Sequence, residues 1–371
     1  MENQNNTLVL SQEKLEMIFG KLMPYINDDD VTDINCNSRS VWLDSITKGR
    51  YEVKGLDIDS DEIERMGYLM SNENNEQFNV AYPILQAELP NMRLQFVHRS
   101  VAISGSSVSI RKTPSVSRIN AEQVQENEYC TKKGLEFLKA AAEAQLNTVV
   151  CGMTGSGKTE LVKFLSGYIN PWERIITIED TLELHLVDVY PEKDIVELEV
   201  NDIVDYDAAI KSCMRMDPTW VLLSEARSSE IKELLKSIST GAKIMTTIHT
   251  DDARDIPKRM LNMFSDNELS NDKVENMIYD YVDVGIHIEK EMHQGSMHRY
   301  ISQIVVFNYD ENGGRTADTI YEVTPDHIVH YYPIPESTFK KLAKKGIFIE
   351  WNQQVVGFDG HVYAAGGDTD E

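Results

Sequence analysis

The chain has 371 residues, 41% of them hydrophobic, enough for about two packed domains and too apolar for global disorder. A formal net charge of −25 disfavours a surface that coats DNA or RNA, although it leaves room for a local basic channel. Cys36, Cys130, Cys151 and Cys213 are far apart and form no C-x-x-C pair, so neither zinc nor a disulfide scaffold is expected, and a reducing cytosol is the simplest setting.

The opening MENQNNTLVLSQEKLEM has no basic segment followed by an apolar stretch, so no signal peptide is expected. No apolar run approaches the roughly 20 residues that span a bilayer. Any membrane association would go through a partner or a surface contact. Residues 8–24 read as an amphipathic helix ending before Pro24. Short strands follow at VTDINCN, SVWLDS and GRYEVK, separated by turn formers. DSDEIERMGYLMSNE reads as a helix with an acidic start that suits its dipole. MRLQFVH and SVSIRK read as strands. Residues 1–112 therefore predict an α+β amino-terminal domain. TPSVSRINAEQ has no period and places a linker at 113–130.

From residue 131 to 310 helices and apolar strands alternate. TKKGLEFLKAAAEAQ is helical, and NTVVCG, RIITIED, TWVLLSE and AKIMTTIHT are strands with helical patterns between them. That alternation predicts an α/β domain with a mostly parallel sheet covered on both faces. VDVGIHIEK and HRYISQIVVFNY read as further strands. Residues 311–371 are expected to form a small carboxy-terminal appendage with a helix at PESTFKKLAKKG, and the final AAGGDTDE is expected to fray.

The sharpest local signal is VVCGMTGSGKTELVKFL. Gly152-x-x-x-x-Gly157-Lys158-Thr159 fits the phosphate-binding P-loop pattern without a mismatch, between a strand and a helix as that motif requires. Gly152, Gly155 and Gly157 let backbone N–H groups turn inward around a phosphate without Cβ clashes, and Thr154, Ser156 and Glu160 complete the stretch expected to meet the nucleotide. The helix starting near Lys158 turns its N-terminal dipole toward the same anion. Lys158 suits the β- and γ-phosphates, and the Thr159 hydroxyl suits Mg²⁺. A P-loop closing the first core strand fits a RecA-like ATPase core.

Hydrolysis also needs a metal ion and a group that orients water. Carboxylates at the carboxyl ends of parallel strands face the ligand edge of the sheet. TIEDTLEL offers Glu179, Asp180 and Glu183, and WVLLSEARSSE offers Glu225, with Arg227 and Glu230 just beyond. On this reading Glu225 and Asp180 join Thr159 as candidate metal ligands. TTIHT puts His249 at the end of a further strand, where it can touch the γ-phosphate or its water.

The order P-loop, TIEDTLEL, LLSEARS, TTIHT resembles the type II/type IV secretion, or traffic, ATPase superfamily, in its conjugation and type IV secretion branch. These four stretches correspond to the Walker A loop, Asp box, Walker B region and His box. VTDINCNSRSVWLDSITKGRYEV is similar to that branch's amino-terminal domain, and NMRLQFVH and VSIRK resemble its arginine-bearing segments. The resemblance spans residues 25–310. It implies ATP and Mg²⁺ as cofactors, Glu179 as the water-orienting group, Glu225 near the metal or the same water, and His249 as a γ-phosphate sensor. It further implies that Arg93 and Arg111 close over a nucleotide held between two domains, and that Arg215 matches a family arginine.

The chain departs from the family pattern at four places: Ser224 before the Walker B glutamate, Pro218-Thr219 before that strand, Arg227-Ser228 after the glutamate, and Ala242 where the first His-box histidine belongs. The implied protein is a cytoplasmic ATPase motor. It works as a homo-hexameric ring, peripheral to the membrane, and powers a secretion, conjugation or pilus complex without binding nucleic acid directly. A RecA-like nucleic-acid translocase and a nucleotide-binding scaffold with little turnover are the alternatives.

Overall fold

The computed structural model describes residues 8–126, 128–201, 203–227, 230–264, 270–293, 295–351, 354–357 and 362–363. The tail expected to fray, 364–371, and the departure at position 228 lie outside the described residues. The chain forms two compact units: Met1–Ser115 with Glu291–His298, and Val116–Lys290 with Arg299–Glu371.

In the first unit, helix Gln12–Phe19 starts at Ser11, whose hydroxyl accepts the Lys14 N–H. Pro24 does not simply end this segment. It enters the first turn of a short helix, Met23–Ile26, where its missing N–H costs nothing. Six strands follow: β1 (Val31–Cys36), β2 (Val41–Ser45), β3 (Gly49–Glu52), β4 (Ile84–Leu89), β5 (Met92–Val97) and β6 (Ser107–Lys112). They pair antiparallel in the order β3-β2-β1-β6-β5-β4. Strand β4 is absent from the sequence expectation because Pro83 and Pro90 bracket it and read as loop. Its alternating burial is nonetheless that of a half-buried strand.

Helix Ser60–Glu73 is set by a capping box: the Asp59 side chain accepts the Glu62 N–H, and the Glu62 carboxylate accepts the Asp59 N–H. One face of the sheet buries Ile34, Leu43, Leu94, Phe96, Val108 and Ile110 against the helices. The alternate residues carry Arg93 and Arg111, which are direct cross-strand partners on β5 and β6.

The second unit contains the alternating α/β pattern. Its strands are β7 (Thr148–Cys151), β8 (Ile175–Glu179), β9 (Ile195–Glu199), β10 (Trp220–Leu223), β11 (Lys243–Ile248) and β12 (Val284–His293, its end lying in the first unit). These run parallel in the order β12-β7-β11-β10-β8-β9. The described strands beyond residue 310 are not separated from this sheet. From β13 (Ser296–Tyr309), strands β14 (Arg315–Val323), β15 (Ile328–Tyr331), β16 (Gln354–Gly357) and β17 (Val362–Tyr363) continue it as an antiparallel meander.

Val149 and Cys151 enter one core cluster and Val150 the other, so both faces of the parallel sheet are dry. That explains the mostly apolar runs in the sequence. Each fully buried Val, Leu or Ile contributes roughly 1.5–3 kcal/mol. Register then aligns the strand ends: Cys151 pairs with Ile248, and Leu223 with both Thr246 and Ile178. Whatever follows those residues must emerge along one edge.

Candidate active site

The P-loop follows β7 at that edge. Gly152 has φ +145°, and a Cβ there would lie 2.5 Å from the Ile288 carbonyl oxygen on β12. Gly157, at φ +96°, takes the left-handed conformation that turns the chain into helix Lys158–Ser166. Met153, Thr154 and Gly155 are exposed at the loop's crest, while Ser156 is buried. The Ser156 hydroxyl has no hydrogen-bond partner among the described residues. Arg299, on β13, braces the loop from outside by donating from Nε to the Gly155 carbonyl at 3.2 Å.

Lys158 is 7% exposed. Its ammonium donates to the carbonyls of Gly152 (3.0 Å) and Met153 (3.2 Å) and lies 3.3 Å from His249 Nδ1. Burial pulls its pKa down, partly offset by Glu225. His249 leaves the end of β11 and points Nε2 at Glu225 Oε1, 3.2 Å away. An ammonium donor on Nδ1 selects the tautomer with the proton on Nε2, which then donates to the carboxylate. The other Glu225 oxygen accepts from Arg227 at 3.1 Å, and Arg227 also reaches Asp180 at 3.0 Å. Burial alone would raise the Glu225 carboxyl, but Arg227, His249 and Lys158 together hold it below the usual glutamate value. Lys158, His249, Glu225, Arg227 and Asp180 thus form one polar chain across the ends of β7, β11, β10 and β8.

Other expected residues lie differently. Glu179 is 1% exposed. One of its oxygens accepts the backbone N–H groups of Glu183 (3.0 Å) and Leu184 (3.1 Å), so in this state the carboxyl holds the following loop. Glu183 is the acid that meets the P-loop helix, accepting from the Thr159 hydroxyl at 3.2 Å. The signal for it was the third acid of TIEDTLEL, four residues past the strand end. No periodicity decides which of those acids turns toward Thr159. Glu160 turns away from the crest and accepts the Arg118 N–H at 3.1 Å. Arg215 is exposed beyond helix Tyr206–Cys213. In the first unit, Arg111 Nε donates to Asp33 at 2.9 Å, and Arg93 lies 3.8 Å from Glu88. Glu183, Arg227 and Arg299 are side chains of this site to which the sequence reading assigned no role.

The donor set suits a magnesium nucleoside triphosphate. A buried ammonium rests on loop carbonyls that it can exchange for phosphate oxygens. The loop has no room for a Cβ at Gly152, and a hydroxyl and carboxylate pair, Thr159 and Glu183, are hard oxygen ligands.

A P-loop closing a core strand of a parallel sheet, with acids and a histidine at the neighbouring strand ends, defines a RecA-like P-loop fold. The family model described as type II/IV secretion system protein matches residues 84–302, and the chain belongs to that family. It is 28% identical over 338 residues to the type IV secretion system protein VirB11 of Brucella suis, covering 79% of this chain and 90% of that protein. An uncharacterized protein of Bacillus anthracis is 25% identical over 346 residues, 86% of this chain and 78% of the relative. The X-ray structure of the Yersinia pseudotuberculosis ATPase DotB matches with a TM-score of 0.58 over 93% of this chain and 88% of its own. At 11% identity this likeness is one of fold. Among the described residues no helix is long and apolar enough to cross a membrane.

Proposed function

We propose that this chain is the ATPase of a type IV secretion or conjugation machine. It binds ATP with Mg²⁺ at the P-loop, hydrolyses it, and works as a homo-hexameric ring docked on the cytoplasmic side of a membrane complex through protein partners. The observation that carries the reading is the continuous contact Lys158–His249–Glu225. It links the group that would hold phosphate to the group that would orient water.

Bound Mg²⁺ would neutralise phosphate charge, with Thr159 and Glu183 as the side chains that hold it and Asp180 and Glu225 close by along the sheet edge. Lys158 gives up its loop carbonyls for phosphate oxygens. His249 Nδ1 then loses its ammonium partner and is available to accept a hydrogen bond from water, while Nε2–H stays on Glu225. The Glu225 carboxylate, ionised at neutral pH, accepts a hydrogen bond from the attacking water and orients it. Glu179 secures the backbone that carries Glu183. Arg93 and Arg111 are the proposed arginines that offset charge developing on the transferred phosphoryl group.

Steady-state hydrolysis and solution mass of the purified protein test this, with Lys158→Ala as control. Turnover that requires Mg²⁺, disappears in Lys158→Ala and accompanies a six-subunit mass is the expected result. Nucleotide binding without turnover under any Mg²⁺ concentration, or with secretion partners added, would refute the motor and leave a nucleotide-binding scaffold.

A further inference from the structure

We propose that Arg227 is a positioning residue for the hydrolysis proposed above: it fastens the end of β10 to the end of β8 and aims the Glu225 carboxylate at His249. The inference rests on reading this edge as an ATPase site.

Glu225 lies two residues beyond β10, in a segment without regular structure, so no backbone periodicity fixes its side chain. What fixes it is a division of its two oxygens. Oε1 faces His249 Nε2 at 3.2 Å and Oε2 faces Arg227 at 3.1 Å. Arg227 is held in turn. Its second terminal nitrogen is 3.0 Å from Asp180, one residue past β8, and its backbone N–H donates to the Glu230 carboxylate at the start of the next helix. The guanidinium is planar and presents its donors in a rigid fork, so fixing it on Asp180 fixes the direction in which it offers a hydrogen bond to Glu225.

The Arg227 side chain is 57% exposed. Ion pairs in that setting add little to stability, so support of the fold is a poor account of this arrangement. Orientation is a better one, because small misplacements of a reacting group cost rate steeply.

The groups facing Glu225 come from every neighbouring element. Arg227 sits on its own segment, His249 beyond β11, and Lys158 on the P-loop helix. Asp180 stands behind Arg227 from β8, with Tyr206 from the adjacent helix close to both. Lys158 and His249 remain when Arg227 is removed, but the tie between the Glu225 carboxylate and Asp180 is lost.

Full-length wild type, Arg227→Gln and Arg227→Lys would be compared by kcat and KM, with affinity for a fluorescent ADP analogue measured alongside. We expect kcat of Arg227→Gln to fall roughly tenfold or more while KM and affinity stay within about threefold. Arg227→Lys, which keeps charge without the fork, should recover part of kcat. A second readout needs no turnover: in a crystal structure of nucleotide-free Arg227→Gln the Glu225 carboxylate should leave His249 Nε2. Wild-type kcat in Arg227→Gln, or a Glu225 carboxylate still in contact with His249, would overturn the role of Arg227. If wild type itself turns nothing over, the ATPase reading fails and the position of Glu225 still decides on the arginine.

Discussion

Replacing Glu179 by glutamine keeps the shape of the side chain and removes its charge. The carboxyl is 1% exposed, and burial pushes its pKa from an ordinary 4.5 to about 8, against the pull of two backbone N–H groups. The folded chain therefore holds this proton more tightly than the unfolded chain does. The stability that follows is fully present below about pH 4.5 and is lost as pH rises toward 8. Linkage puts the loss at about 1 kcal/mol at pH 5, about 3 at pH 7 and about 4 at pH 8.

Glutamine has no charge to desolvate, and its carbonyl can still accept from Glu183 or Leu184. The melting temperature of Glu179→Gln minus that of wild type should then climb between pH 5 and pH 8 by roughly 5 °C or more. Thermal unfolding at constant ionic strength measures it. A difference that stays flat across this range would refute the buried, proton-holding carboxyl. Hydrolysis by the same variant separates the two roles. Retained turnover assigns Glu179 to the loop that carries Glu183, and abolished turnover returns it to the attacking water.

Gly152→Ala should cost at least tenfold in nucleotide affinity and lower the melting temperature, because the new Cβ would meet the Ile288 carbonyl at 2.5 Å and neither backbone can yield alone; unchanged binding in a fluorescence titration would contradict the cradle described here. In the first unit, Glu64 accepts from Arg99 Nε and Ser106 Oγ, both at 2.6 Å, and Arg99, with burial opposing, holds its carboxyl down to about 2. That depressed value stabilises the folded unit above about pH 4.5, and the contribution fades as pH falls toward 2. Arg99→Ala should accordingly lower the melting temperature most near neutral pH and least near pH 3; an equal loss at both would show that packing, not charge, is what Arg99 supplies.

Much of the second unit was readable because its signals are local. A strand buried on both faces shows as a mostly apolar run without polar alternation, and β7, β8, β10 and β11 all do. Elements with mixed patterns escaped: β4 between two prolines, β9 with its acidic IVELE, and the strands after β13. Within the site, the P-loop residues and the strand-end positions of Glu225 and His249 were legible, since strand ends in a parallel sheet share an edge. Side-chain direction beyond a strand end was not. The two-residue period stops there, so the expectation that gave Glu179 the water and Asp180 the metal, and Glu183 no role, had no side-chain direction behind it. In the fold they hold the backbone, meet Arg227 and meet Thr159 respectively.

By itself the sequence determined the parallel sheet, the phosphate loop and the acids and histidine at the neighbouring strand ends. Those depend on hydrophobic period, glycine geometry and spacing, all properties of neighbours along the chain. Only the tertiary structure decided the pairing of charges: Arg227 between Asp180 and Glu225, His249 between Lys158 and Glu225, Arg299 against the loop. Such contacts join residues up to 144 positions apart. Their partners are chosen by which strand lies beside which, and the order β7-β11-β10-β8 is set by packing of helices on both faces of the sheet, which no local pattern records.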